Sequence, residues 1–116
     1  MKIVINKIIP FKGFKCMALW PFIFLRKEKV ARFTTTDATH EKIHGRQQLE
    51  MLLVLFFVWY AVEWLIRLVV YWDSKEAYRN ISFEQEAYEF EGDVEYIKKR
   101  TLFYWLKYLF KKTYHK

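Results

Sequence analysis

The sequence predicts a mainly α-helical fold with a short β-hairpin near the N-terminus, and three observations support this class. β-branched and aromatic residues are concentrated between residues 22 and 36, which is typical of strands. No proline occurs after Pro21, so long helices are permitted in the rest of the chain. Residues that favour helix N-termini precede several later segments. At 116 residues, the chain has the length of one domain, and we expect residues 1–116 to form a single unit.

The first 36 residues form a basic N-terminal segment that contains the expected hairpin. Residues 22–26 and 30–36 are mostly β-branched or aromatic, and the charged residues 27–29 separate them. Two such runs joined by a short polar turn are typical of a β-hairpin. We therefore predict one strand at 22–26 and its partner at 30–36.

A long helix is predicted over residues 38–72. Thr36 and Asp37 are good N-cap residues and stand directly before it. Its second half, residues 51–72, is apolar except for Glu63 and Arg67. At about 1.5 Å per residue this half extends roughly 33 Å, which is enough to cross a bilayer.

A break is expected over residues 73–82. Asp73 with Glu76, and Ser82 with Gln85, have the spacing of a capping box, which marks helix starts.

Two helices are predicted after this break. An acidic helix covers residues 83–98, and Gly92 interrupts it only mildly. A basic helix covers residues 101–112, where lysines are spaced among aromatic residues and leucines. This last pattern is typical of an amphipathic helix at a membrane surface.

The composition indicates contact with lipid or with a partner. Hydrophobic residues make up 53% of the chain and aromatic residues 21%, more apolar surface than a soluble domain of this size easily buries. The single Cys16 cannot form an internal disulfide and gives no sign of an oxidising compartment.

Charge is distributed in three blocks. Residues 1–36 carry a net charge of +7, residues 37–95 carry −7 and residues 96–116 carry +7. The aromatic residues of the basic ends lie within apolar runs, which suits an anionic membrane surface better than nucleic acid. We therefore expect a membrane-associated protein that does not bind nucleic acid. Basic residues flank the apolar segment on both sides, so its orientation is not determined.

The segment THEKIHGRQQLE, residues 39–50, contains a pattern typical of zinc sites. His40 and His44 are four residues apart and share one face of a helix, with Glu41 beside them. In an HExxH site two neutral imidazoles bind Zn²⁺ and the glutamate acts as general base toward a water molecule. The alternative interpretation is a solvated polar turn that opens an apolar helix.

A hydrolytic zinc site usually needs a third protein ligand. The stretch NISFEQEAYEFEGDVE supplies six carboxylates. Taken alone, such a run is more often a solvated acidic face.

The combination of HEKIH with the later FEQEAY resembles the gluzincin metallopeptidases of membranes, notably the CAAX-prenyl endopeptidases and sensor-transducer proteases. In those families a glutamate in an F-E-x-x-A-D motif completes the metal site. The resemblance implies a minimal zincin-like arrangement in which Glu84 is the third ligand and Ala87 takes the small packing position. The wider pattern also resembles a group of small uncharacterised bacterial proteins.

One residue departs from the family motif. Tyr88 replaces the aspartate that helps to orient the site in those families. It lies one helical turn after Glu84 and therefore faces the same way. Two interpretations are open: Tyr88 donates a hydrogen bond to a developing oxyanion, or it is a core residue.

The first functional hypothesis is a membrane-associated zinc metallopeptidase, in which His40, His44 and Glu84 bind Zn²⁺, Glu41 is the general base and Tyr88 the oxyanion donor. Its substrate would be a peptide or protein. The second is a non-catalytic membrane-surface protein or scaffold with structural zinc or none. The third is a single-span membrane protein in which the motif occurs by chance.

Zinc binding and a straight transmembrane helix are incompatible here. His44 and Glu84 must both lie about 2 Å from one ion, whereas a straight span over residues 51–72 would separate them by a bilayer. If zinc binds, this segment must be bent, re-entrant or packed on the protein surface. No glycine or proline between Gly45 and Gly92 marks such a bend.

Overall fold

The computed structural model describes all 116 residues and is mainly helical, with one small sheet near the N-terminus. The coarse fold class predicted above is therefore confirmed. The strands are β1 (Lys2–Asn6), β2 (Cys16–Leu19) and β3 (Phe22–Arg26), and the α-helices are α1 (Thr35–Glu50), α2 (Val54–Tyr71), α3 (Ser74–Arg79), α4 (Ser82–Phe90) and α5 (Tyr96–Lys99). Two 3₁₀ helices cover Lys27–Arg32 and Tyr104–Tyr108.

The predicted hairpin has the wrong second strand. β3 is the central strand of the sheet, with β1 parallel on one side and β2 antiparallel on the other. Because both edges of β3 are occupied, residues 30–36 have no edge to pair with, and they form the 3₁₀ helix and the first turn of α1 instead. The guanidinium of Arg26 fixes the end of β3 by donating to the carbonyls of Lys7 and Pro10.

Helix α1 begins slightly earlier than predicted, because Thr34 is its N-cap. The Thr34 hydroxyl accepts a hydrogen bond from the Asp37 amide, and the Asp37 carboxylate accepts one from the Thr34 amide. This reciprocal capping box satisfies two amides that the helix leaves without a partner. Lys15 pairs with Asp37 at 2.9 Å and ties the segment before β2 to this helix.

The single helix predicted over 38–72 is wrong, because the chain bends sharply after Glu50. Leu52 and Leu53 have φ angles of 54° and 61°, which leucine rarely adopts. The bend turns α2 back so that Phe56 is buried against Ile81, Phe83 and Trp105. We attribute the bend to these tertiary contacts, which outweigh the local preference of an apolar run for a continuous helix.

Helix α2 is long and apolar enough to cross a membrane. Only 17% of its residues are buried in the protein. Its buried residues are Phe56, Glu63 and Arg67. The two charges that interrupt the apolar run therefore face the protein.

The later helices are shorter than predicted. The acidic helix over 83–98 is divided into α4 and α5 by a turn in which the Asp93 carboxylate accepts from the Glu95 amide. Residues 73–82 contain α3, and Asp73 caps it by accepting from the Glu76 amide at 2.8 Å.

The basic amphipathic helix predicted over 101–112 is also wrong. Only Tyr104–Tyr108 is helical, as a 3₁₀ helix. The carbonyls of Tyr108, Leu109 and Lys111 accept from the guanidinium of Arg67. These contacts hold the segment in a non-helical conformation beside α2.

We predict opposite effects of glycine on the two sides of the bend. Leu52→Gly removes the conformational energy that leucine needs to adopt a positive φ. Because the Leu52 side chain is 75% exposed, the variant loses little buried apolar surface. We expect it to raise the free energy of unfolding by about 1 kcal/mol. Val58→Gly places glycine in the interior of α2, at a side chain that is 54% exposed, and should lower the free energy of unfolding by about 1 kcal/mol. Chemical denaturation in mild detergent measures both, and equal losses in the two variants would contradict the bend.

Candidate metal centre

Three buried side chains from α1 and α4 converge on one point. His40 and His44 lie one turn apart on α1, and Glu84 lies in the first turn of α4. The Oε1 atom of Glu84 is 3.1 Å from the Nε2 atom of each histidine. The two Nε2 atoms are 3.2 Å apart. The structure thus brings together the three residues predicted as metal ligands, and as a group they can hold a metal ion.

The separations among these atoms match a tetrahedral site. Two ligands about 2.0 Å from one ion lie about 3.3 Å apart when the angle between them is tetrahedral. The observed separations of 3.1 to 3.2 Å are close to this value. The convergence also argues against the single-span hypothesis, because a straight span over residues 51–72 would separate His44 and Glu84 by a bilayer.

The outer nitrogen of His44 has a partner that determines its tautomer. The Gln47 amide group donates to the Phe83 carbonyl and to Glu86, which fixes its oxygen toward the Nδ1 atom of His44 at 2.8 Å. Nδ1 must therefore carry the proton. In the neutral ring, Nε2 then presents a lone pair to the convergence point, as a metal ligand requires.

His40 is held in the same way by a carboxylate. Its Nδ1 atom lies 3.1 Å from Glu91 Oε1, so the imidazole donates outward, and in the neutral ring the Nε2 lone pair faces inward. The ring of Tyr88 packs edge-on against the His40 ring, with 4.6 Å between centroids. Both histidines are thus oriented by hydrogen bonds that they donate to residues outside the ligand set.

Glu84 uses its two oxygens differently. Oε1 faces both histidines, while Oε2 accepts a hydrogen bond of 2.7 Å from the Tyr60 hydroxyl. Tyr60 belongs to α2, so the bend after α1 brings it to the site. Sequence reasoning missed this residue because it lies in the middle of an apolar run.

The charges at the site attract cations. Burial lowers the pKa of His40, but its hydrogen bonds to Glu84 and Glu91 outweigh burial and raise the pKa to about 10. Burial also lowers the pKa of His44, and the nearby Glu84 charge outweighs it, for a net rise. Burial raises the pKa of Glu84, but the two histidines hold it well below its usual range. A metal ion would compete with protons for the same Nε2 lone pairs.

Glu41, the predicted general base, lies in the same pocket as the ligands. The Cys16 thiol donates to its Oε2 atom at 3.8 Å. Burial raises the pKa of the Glu41 carboxyl, and the charges of His44 and His40 oppose this rise. The pocket has a volume of about 310 Å³, and its walls include Pro10, Phe11, Phe14, Met17, Phe56, Phe57 and Tyr78.

Tyr88, the predicted oxyanion donor, does not point its hydroxyl at Glu84. Its oxygen lies 3.3 Å from that of Tyr78, and the Arg79 guanidinium stacks on its ring at 3.8 Å from the centroid. Tyr78 lines the pocket, whereas the described contacts of Tyr88 are with Tyr78, Arg79 and His40. The catalytic role of Tyr88 stays a prediction.

A second group of buried polar residues, centred on Glu86, is connected to the site through Gln47. Glu86 accepts hydrogen bonds from Gln47, from the Tyr96 hydroxyl at 2.7 Å and from two nitrogens of Arg100. Gln47 connects this group to His44. Because Gln47 lies three residues after His44 on α1, helical spacing alone would have predicted this contact.

Comparison of the chain with protein-family models, with curated proteins and with solved structures returned no match. The resemblance to gluzincins therefore depends on the motif residues themselves, and membership of that family stays a hypothesis.

We predict that Glu86→Gln destabilises the protein strongly. The Arg100 and Glu86 side chains are almost fully buried. The variant therefore leaves a buried guanidinium with one fewer charged partner. A buried charge left without a partner typically costs about 3 kcal/mol or more, but Arg100 keeps its ion pair with Glu50, so we expect a loss of about 2 kcal/mol. Glu89→Gln, an exposed change on the same helix, should alter the free energy of unfolding by less than about 0.5 kcal/mol. Similar unfolding curves for the two variants would contradict the supporting role of Glu86.

Proposed function

We propose that this protein is a zinc-dependent hydrolase of peptide bonds. His40, His44 and Glu84 hold the metal, and Glu41 is the general base. The supporting observation is the mutual contact of three buried ligand atoms at 3.1 to 3.2 Å, with both imidazoles held in the ligating tautomer. This arrangement supports the minimal zincin-like site that the family resemblance implies.

The ligand types favour zinc among the common metals. Two imidazoles and one carboxylate are the protein ligands of several catalytic zinc sites, which keep a fourth position open. When bound at such a site, zinc acts as a Lewis acid and lowers the pKa of water.

The residues around the ligands have separate roles in this proposal. Glu41 takes a proton from the attacking water and passes it to the leaving amine. Gln47 and Glu91 hold the histidines, and Tyr60 holds Glu84. If Tyr88 stabilises an oxyanion, its hydroxyl acts beside the hydroxyl of Tyr78, whose side chain lines the pocket.

The position of the sheet supports a peptide substrate. β2 is an edge strand, and its residues Cys16, Met17 and Ala18 line the pocket that contains Glu41. Extended peptides commonly bind by adding a strand to a sheet edge. The Ala18 carbonyl already accepts a hydrogen bond from the Gln48 amide, so a substrate strand would pair with β2 only on the Cys16 side of Ala18. The aromatic walls of the pocket suit an apolar side chain next to the cleaved bond.

We also propose that the protein is membrane-associated. The support is α2, a helix of membrane-spanning length whose outward face is apolar.

The metal assignment predicts about one zinc ion per chain in protein purified in mild detergent without a histidine tag. Glu84→Gln weakens one ligand and should lower zinc affinity by at least tenfold. Glu89→Gln, an exposed change on the same helix, should leave the zinc content unchanged. Elemental analysis after dialysis against zinc buffers measures both. A folded, zinc-replete wild type that retains no zinc would contradict the assignment.

The catalytic assignment predicts that Glu41→Gln keeps zinc but loses about 10²- to 10⁴-fold of peptide turnover, since the general base is removed. A library of fluorogenic peptides with varied apolar residues, incubated with zinc-loaded protein, measures the cleavage. Equal turnover in wild type and Glu41→Gln would contradict the role of Glu41. No cleavage by the wild type, together with unfolding of His40→Ala, would favour the scaffold with a structural metal.

A further inference from the structure

The polarity of α2 is the reverse of that expected for a surface helix. Its two charged residues, Glu63 and Arg67, are buried, whereas eleven of its 18 residues are exposed and all eleven are apolar. The exposed residues are Val54, Leu55, Phe57, Val58, Trp59, Ala61, Val62, Leu65, Ile66, Val69 and Val70. A surface helix in water normally directs its charged side outward.

The buried charges satisfy polar groups within the protein. Glu63 accepts from both the amide and the hydroxyl of Ser82. Arg67 donates to Glu63 and to three carbonyls of the non-helical segment beside α2. Backbone outside a helix is tolerated at membrane depth only where the protein supplies such partners. The non-helical backbone beside α2 therefore has the hydrogen-bond partners that it would need next to lipid.

The extent of the apolar face distinguishes lipid from a second protein. At about 100° per residue, the exposed positions from Phe57 to Val70 cover an arc of about 220° around the helix. One partner helix covers a stripe of about 100°. A second copy of this chain would leave much of the arc in water, whereas lipid covers all of it.

The rest of the protein lies along the inner side of α2 for its whole length. Phe56 near its start packs on His44, Tyr60 contacts Glu84, and Arg67 near its end binds the C-terminal segment. A transmembrane orientation would immerse this body, including exposed charges such as Glu89 and Lys98, in lipid. An orientation in the membrane plane keeps the body in water.

Basic residues stand at the rim of the apolar face. A groove of about 860 Å³ runs between α2 and residues 109–112, and Lys111 and Lys112 line it beside Val70 and Tyr71. Lys112 pairs with Glu76 at 2.7 Å, which leaves Lys111 as the lysine of this groove that can face a headgroup. Phe110, which also lines the groove, is fully exposed. Lysines next to an apolar surface attract anionic headgroups, as in helices that lie at membrane interfaces.

We propose that α2 lies in the plane of one leaflet of an anionic membrane, with its apolar arc in the acyl region and Lys111 at the headgroups. The protein is then bound to one face of the bilayer and does not cross it. This inference rests on the membrane association proposed above and not on the zinc chemistry. Zinc content and peptide cleavage in detergent test the latter separately.

The binding test uses flotation of the full chain with lipid vesicles. Wild type should float with vesicles that contain phosphatidylglycerol, and Val62→Glu should bind at least about tenfold more weakly because it places a charge on the apolar arc. Val94→Glu makes the same change at an exposed valine away from α2, with 56% exposure against 51% for Val62, and should bind like wild type. Lys111→Gln should weaken binding about fivefold. Equal flotation of both valine variants, or a soluble wild-type dimer that does not float, would overturn the proposal.

The topology test uses single cysteines placed before the start and after the end of α2. Arg46→Cys on α1 and Ser74→Cys on α3, each in a Cys16→Ser background, place a reactive thiol at exposed positions. A membrane-impermeant maleimide is applied to spheroplasts and to inverted membrane vesicles from expressing cells. An in-plane helix predicts that both positions are labelled in the same preparation. Labelling of one position in each preparation would show a spanning helix and overturn the proposal.

Discussion

The contact of Glu84 with both histidines is the constraint on which the rest of the structure depends. It joins the first turn of α4 to the middle of α1, although the 18-residue α2 lies between them in the chain. The chain can satisfy this contact only by reversing direction twice, once at each end of α2. The left-handed residues Leu52 and Leu53 make the first reversal, and Trp72, with a φ of 55°, marks the second. The backbone cost of these residues is of order 1–3 kcal/mol each, and the buried contacts of α1, α2 and α4 offset it.

The interior around this contact is unusually polar. Apolar clusters such as the one around Phe83 are small, and much of the centre consists of hydrogen-bonded amides and charges. Gln47, Gln85 and Glu86 each bind groups from two or more segments of the chain. Because an unpaired buried polar group costs several kcal/mol, such a network favours one arrangement over alternatives of similar compactness. The apolar residues that a soluble protein would bury are instead found on α2, facing outward.

Much of the site could be predicted from the sequence, and less of the fold. Helical spacing alone placed His40, Glu41 and His44 together, and the motif resemblance pointed to Glu84, which lies in contact with both histidines. The bend at Leu52 could not be predicted, because no local signal marks it and distant contacts of Phe56 decide it. β2 was missed for another reason: Cys16–Leu19 lacks β-branched residues, and residues 30–36 have more of them without being a strand. β1, with three β-branched residues in Lys2–Asn6, could have been predicted from its composition. Tyr60 and Arg67 lie in an apolar run, where periodicity indicates a helix but not which side faces the protein.

The hydrogen bond from Tyr60 to Glu84 joins α2, whose outer face is exposed, to the buried ligand group. Tyr60 is rigidly attached to α2, and Glu84 is a member of the candidate ligand set. A molecule or surface that binds α2 and shifts Tyr60 therefore changes the free energy of the ligand group. By thermodynamic linkage, occupancy of the ligand group changes the affinity of α2 for that molecule by the same factor. One hydroxyl group thus makes the two binding equilibria interdependent.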